Sequence, residues 1–128
     1  MNLLLDTHAL IWFSEGGSKK LSSTSRESIE NRDNEKFVSI VTFWEIAIKT
    51  SLGKLSLNRD IKELSEFMVQ YRFILLPVTV EHTVRLVDLI FHHHDPFDRI
   101  LIAQAISENF HVVTKDSNFS SSPIKSIW

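Results

Sequence analysis

Four acids stand at places in the sequence where carboxylates can act together: Asp6, Glu45, Asp98 and Asp116. Asp6 directly follows the apolar run Leu3-Leu4-Leu5, and Asp116 lies just past the β-prone HVVT segment. Glu45 and Asp98 are expected in the first turns of two strongly patterned helices. Carboxylates brought together repel, which raises their pKa values unless a cation joins them. A cluster of oxygen ligands suits a hard divalent ion, Mg²⁺ or Mn²⁺, with waters completing the octahedron. Each acid also has a local explanation. Thr42 and Glu45 fit the T-x-x-E capping box. Asp98 favours a helix N-terminus through the macrodipole, and Asp116 in TKDSN suits a turn. Asp6 resists such an account, because a buried strand precedes it, an apolar helix follows, and an unpaired carboxylate there is costly. Asp95 is a competing carboxylate three residues before Asp98. With Pro96 suited to the first helical position, Asp95 is the expected N-cap.

Bringing these acids together requires strands and helices in alternation. Leu3 to Leu5 reads as a buried strand and Thr7 to Ser14 as a helix that ends near Gly16-Gly17. Ser22 to Asn34 is a polar surface helix with Ile29 as its main apolar contact, and Phe37 to Ile40 is a short strand. A helix, TFWEIAIKTSL, begins at Thr42 and is closed by Gly53. From Asp60, the positions Ile61, Leu64, Phe67, Met68 and Tyr71 give one apolar helical face. Phe73 to Val78 is the next strand, and Glu81 to Phe91 the next helix, with Val84, Val87 and Phe91 in register. FDRILIAQAISENF is apolar almost all round and therefore central. His111 to Thr114 and, after a Ser-rich loop, Ile124 to Trp128 complete the strands. Alternation of this kind implies a parallel α/β sheet with helices on both faces. Such sheets bind ligands beyond the carboxyl ends of their strands, where Asp6 and Asp116 fall.

The 128 residues make one domain, 1–128, large enough for a real core. With 43% hydrophobic and 23% charged residues the composition is that of an ordinary globular chain. The absence of Cys excludes disulfides, zinc–thiolate sites and thiol nucleophiles. The apolar start carries Asp6 and no basic n-region, and no run is long enough to span a bilayer, so a soluble cytoplasmic protein is expected. A net charge of −2 and a pI near 6.3 argue mildly against a nucleic-acid binder. That objection weakens if the acids gather in one site where divalent cations offset their field.

The segments LLLDTHALIWF, VTFWEIAIKTSLGKLSL, LPVTVEH, HHHDPFDRILIAQA and VVTKD resemble, in order and over nearly the whole chain, the successive motifs of VapC-type PIN-domain toxins. The resemblance implies a three-layer PIN-like α/β fold around a parallel sheet and Mg²⁺- or Mn²⁺-dependent cleavage of RNA. It also implies a homodimer held by a cognate antitoxin. The family's four acids fall on Asp6, Glu45, Asp98 and Asp116, and its supporting hydroxyls on Thr7 and Thr114. In the mechanism this suggests, Asp6, Asp98 and Asp116 bind the metal, directly or through water, and Glu45 holds a water or a second metal. Water, not the RNA 2′-OH, is then the nucleophile, and 5′-phosphate ends result. Two rivals are a PIN nuclease of RNA processing with no antitoxin and a non-catalytic nucleic-acid-binding module.

Other residues have weaker claims. Arg99 suits a phosphate contact or a pair with a nearby acid equally well. Lys49, Lys54 and Lys115 fit either a phosphate track or a solvated surface. Side chains of the consecutive His92, His93 and His94 diverge, which favours capping or packing over a zinc site. His8 reads as a packing or positioning residue. Trp12 and Trp44 are expected in the core or a dimer contact, and Trp128 at the surface.

Overall fold

A computed structural model of the chain describes residues 1–16, 18–89, 95–121 and 123–128. The expectations for His92 to His94, for Phe91 and for Gly17 lie outside these residues. Five parallel strands form one sheet: β1 (Asn2–Leu5), β2 (Glu35–Ser39), β3 (Ile74–Leu76), β4 (His111–Val113) and β5 (Lys125–Ile127), in the order β3-β2-β1-β4-β5. The helices are α1 (Thr7–Ser14), α2 (Ser23–Glu30), α3 (Ile40–Ser51), α4 (Ile61–Gln70), α5 (Val80–Val87) and α6 (Pro96–Glu108), with a 3₁₀ turn at Ser117–Ser121. Strand β1 is central, and its side chains alternate between two cores. Leu3 and Leu5 pack with Leu10 and Phe13 of α1, Ile29 of α2, Ile46 of α3 and Phe67 of α4. Leu4 packs on the other side with Leu101, Ile102 and Ala105 of α6, Phe110 and Phe119. The result is the three-layer α/β architecture expected from the alternation of elements.

Local chemistry sets most boundaries. The Asp95 carboxylate accepts from the N–H groups of Phe97 and Asp98, and Pro96 stands just inside the helix, so α6 starts where its sequence signals placed it. Asp60 and Glu63 form a reciprocal capping box that opens α4. Gly53, at φ +70°, follows α3 in the left-handed conformation that closes a helix.

Helix α3 departs from expectation. It begins at Ile40, two residues earlier than predicted, because the Ser39 hydroxyl accepts from the Val41 N–H and caps the helix itself. Thr42 is therefore inside the helix, Glu45 is in its second turn, and the Thr42–Glu45 capping box does not form. Helix α5 also differs. It starts at Val80 behind a Thr79 cap, and its Val84 and Val87 face outward at 56% and 83% exposure while His82 is fully buried.

Candidate active site

The chain runs outward in one direction from β1 to β2 and β3, and in the other from β4 to β5, so the connections diverge between β1 and β4. Open parallel sheets form a crevice at such a point, beyond the strand carboxyl ends. Asp6 leaves β1 there, and Thr114 to Asp116 leave β4 beside it. A cavity of about 450 Å³ opens at this place, lined by five carboxylates, those of Asp6, Glu45, Asp95, Asp98 and Asp116. All four sequence-predicted acids meet in it, together with Asp95.

Each acid is held by its neighbours. Asp6 is only 7% exposed. Its Oδ1 accepts from the Ala9 N–H at 2.8 Å, which caps α1. Its Oδ2 accepts from the Thr114 hydroxyl at 2.6 Å. The sequence offered no capping role for Asp6; the structure shows one on Oδ1, while Oδ2 is held by Thr114. The Asp116 N–H donates to the same Thr114 hydroxyl at 3.0 Å, so Thr114 ties the two strand-end acids together. Burial pushes the Asp6 carboxyl above its usual value of 3.8, and the nearby charge of Asp116 adds to this. The bonds from Thr114 and Ala9 and the charge of His8 oppose it. A second carboxylate, Glu45, is 5% exposed. Its Oε1 accepts from the Thr7 hydroxyl at 2.6 Å, and its Oε2 pairs with the Lys49 ammonium. The Thr42 hydroxyl stands 3.4 Å from that of Thr7. Asp98 is at the start of α6, behind the Asp95 cap. The Asp116 Oδ1 accepts from the Asn118 N–H at 2.9 Å, which also makes it the opening residue of the 3₁₀ turn.

The cations divide. Lys49 and Lys115 line the cavity. Lys54 is not among the lining residues, and its N–H closes the end of α3 on the Lys49 carbonyl. Arg99 also stays off the cavity wall, with a long contact of 3.5 Å from its guanidinium to the Leu86 carbonyl. Two rim residues were underrated. His8 and Trp12, four residues apart on α1, line the cavity with ring centroids 5.4 Å apart. Trp12, expected in the core or a dimer contact, packs at the edge of the core and lies edge-on against Trp128 at 5.7 Å. The i, i+4 spacing between His8 and Trp12, on the helix that Asp6 caps, was the available signal. Of the core or dimer contact expected of Trp44, the core is excluded: it is 61% exposed and lies edge-on to Phe97.

The donor set fits a hard divalent cation. It is all oxygen and strongly anionic, and two of its carboxylates are buried, one with its proton affinity raised. Among the described residues no three ligating side chains form a ready-made cage. Magnesium does not need one, since it keeps several waters and takes one or two carboxylates.

A parallel α/β sheet with acids gathered at its switch point defines a domain built to work on a ligand beyond the strand ends. The sequence profile of the PIN domain matches residues 3–124, so the chain belongs to the PIN-domain family, a family of nucleases. No curated protein matches the sequence significantly. Among solved structures, the fold is similar to VapBC2 from Rickettsia felis, bound to a DNA fragment from their promoter. The TM-score is 0.71 at 16% identity, over 98% of this chain and 97% of that one. FitAcB from Neisseria gonorrhoeae is similar at a TM-score of 0.66 and 16% identity, over 97% and 95%. A toxin–antitoxin complex from Klebsiella pneumoniae follows at 0.61 and 19%, over 94% and 92%. Among the described residues, no helix is long and apolar enough to cross a membrane.

Proposed function

We propose that this chain is a Mg²⁺- or Mn²⁺-dependent endoribonuclease and the toxin half of a toxin–antitoxin pair. The observation that carries the reading is the meeting of Asp6, Glu45, Asp98 and Asp116 around one cavity at the sheet's switch point. In this reading Asp6, Asp98 and Asp116 hold the ion. When bound, a divalent ion supplies an activated water and neutralises charge on phosphate oxygens. Thr114 fixes the orientation of Asp6, and Thr7 that of Glu45, so that both acids are held in place at the cavity wall. Glu45 would hold a metal-bound water or a second ion. Lys115, on the cavity wall, offers a positive contact to the RNA backbone, and the Trp12 and His8 rings give an aromatic rim for a base.

A cognate antitoxin is the expected partner, in keeping with the toxin–antitoxin complexes among the similar folds. The expected homodimer has a surface that suits it. Val80, Val84 and Val87 form an exposed stripe on α5, and an apolar depression of about 500 Å³ lies between Ile40, Trp44, Leu86 and Ile100. Contiguous exposed apolar area of this kind marks interaction sites.

The test is incubation of the purified chain with total tRNA and a structured RNA, with Mg²⁺ or Mn²⁺ and with EDTA. Metal-dependent cleavage leaving 5′-phosphate ends is expected. Cleavage that persists in EDTA, or leaves only 2′,3′-cyclic phosphates, contradicts the reading. A short reading frame upstream that encodes a DNA-binding protein distinguishes a toxin from a processing nuclease.

A further inference from the structure

We infer that Lys49 is the built-in counter-ion of Glu45, its ammonium occupying the oxygen that a metal-bound water or a second divalent ion would take, so that metal loading and Lys49 compete for one carboxylate. The inference rests on the reading that the acids take such an ion.

Glu45 is buried, and its two oxygens are both engaged, one by the Thr7 hydroxyl and the other by Lys49. A carboxylate in that position needs a positive partner. Lys49 comes from the next turn of the same helix, the i, i+4 relation that lets a Lys side chain fold back onto a Glu. It is not confined to that pair. Its side chain is 35% exposed and lines the same cavity as Asp95 and Asp98. The bond to Glu45 is the main cause of a pKa raised above the ordinary lysine value; burial opposes it, and the charges of Glu45, Asp95 and Asp98 add to it. The ammonium is thus the counter-ion of this side of the acid ring.

A dication taken up beside Glu45 would face that ammonium. Two cations on one oxygen repel, so loading either displaces Lys49 or is weakened by it. The lysine stem is flexible and opens to the cavity, so the displaced ammonium remains where a phosphodiester enters. Anionic substrate then offers it a new partner. Metal and RNA binding should therefore assist each other, each favouring the state in which Lys49 has left Glu45.

The test is calorimetric titration of Mn²⁺ into the full chain, free of any partner, for wild type, Lys49→Met and Lys49→Arg, alongside melting curves in EDTA and in Mn²⁺. Removing the competing charge should make Lys49→Met bind Mn²⁺ at least about fivefold more tightly than wild type. In EDTA the same variant should melt below wild type, and saturating Mn²⁺ should close that gap. Lys49→Arg should restore both properties. If Lys49→Met does not fold without metal, Lys49→Gln supplies the uncharged comparison. Equal or weaker Mn²⁺ binding by a folded uncharged variant overturns the inference while leaving the metal site intact. Failure of wild type and uncharged variant alike to bind Mn²⁺ overturns the proposed metal dependence itself. A lysine serving only the helix would lower melting in both conditions and leave Mn²⁺ affinity unchanged.

Discussion

Two polar clusters flank α6, and only one of them faces the acid-lined cavity. Near the start of the helix, Thr114 donates to Asp6 and Thr7 to Glu45, and both acids line a cavity crowded with carboxylates. Further along, His82 of α5 is fully buried. It takes the Thr79 N–H on Nδ1 at 3.1 Å and meets Glu108 through Nε2 at 2.9 Å, with Gln104 alongside. The Thr79 bond places the proton on Nε2, from which it is donated to Glu108. This second cluster joins the start of α5 to the end of α6, and its acid has one partner of complementary chemistry. The first cluster instead gathers like charges. Buried polarity alone is thus a feature of packing, whereas unbalanced charge facing a cavity is what marks a site that awaits a ligand.

The sharpest way to separate the two clusters is to change one residue in each. Asp6→Asn keeps the side-chain shape and the ability to cap α1, and should lower RNA cleavage on the order of 10³-fold in a metal-containing assay. Its melting temperature without metal should equal or exceed that of wild type, because a buried carboxylate no longer has to be charged. His82→Ala should do the reverse. Urea unfolding should show a loss of about 2–4 kcal/mol, while the folded fraction cleaves at the wild-type rate. If His82→Ala abolishes cleavage in fully folded protein, the division between the clusters fails.

Thr114→Val is the intermediate case, since this hydroxyl serves both Asp6 and the Asp116 N–H. A cleavage loss of about tenfold with a stability loss of about 1–2 kcal/mol is expected, read from steady-state rates and urea midpoints. The smallest effect concerns pH. The folded chain holds the Asp6 proton more tightly than the unfolded chain, because burial raises its pKa above 3.8. Stability from this group is therefore greatest below 3.8, falls as pH rises toward the folded pKa, and is level beyond it. The melting advantage of Asp6→Asn over wild type, measured without metal, should grow over that window and then plateau.

The acids, the alternation of strands and helices and the α6 start were legible because each rests on local chemistry: apolar runs, caps, a proline. What was hidden depended on the third dimension. Ser39 and Thr42 both carry hydroxyls that can cap, and only the sheet's path into α3 decides that Ser39 does so. The outward register of Val84 and Val87 was invisible, because an apolar stripe looks the same whether it meets a core or another molecule. His82 was passed over since burial of a histidine depends on partners 22 and 26 residues away, Gln104 and Glu108. Lys49, by contrast, could have been given its pairing with Glu45 from spacing alone.

The most direct measurement is Mn²⁺ anomalous scattering from crystals of the chain soaked in the metal. The account predicts a peak in the cavity at the carboxyl ends of β1 and β4, with Asp6, Asp98 and Asp116 as its protein ligands, direct or through water. A peak confined to other carboxylates, or none at saturating Mn²⁺ in a crystal whose lattice leaves the cavity open, would contradict it.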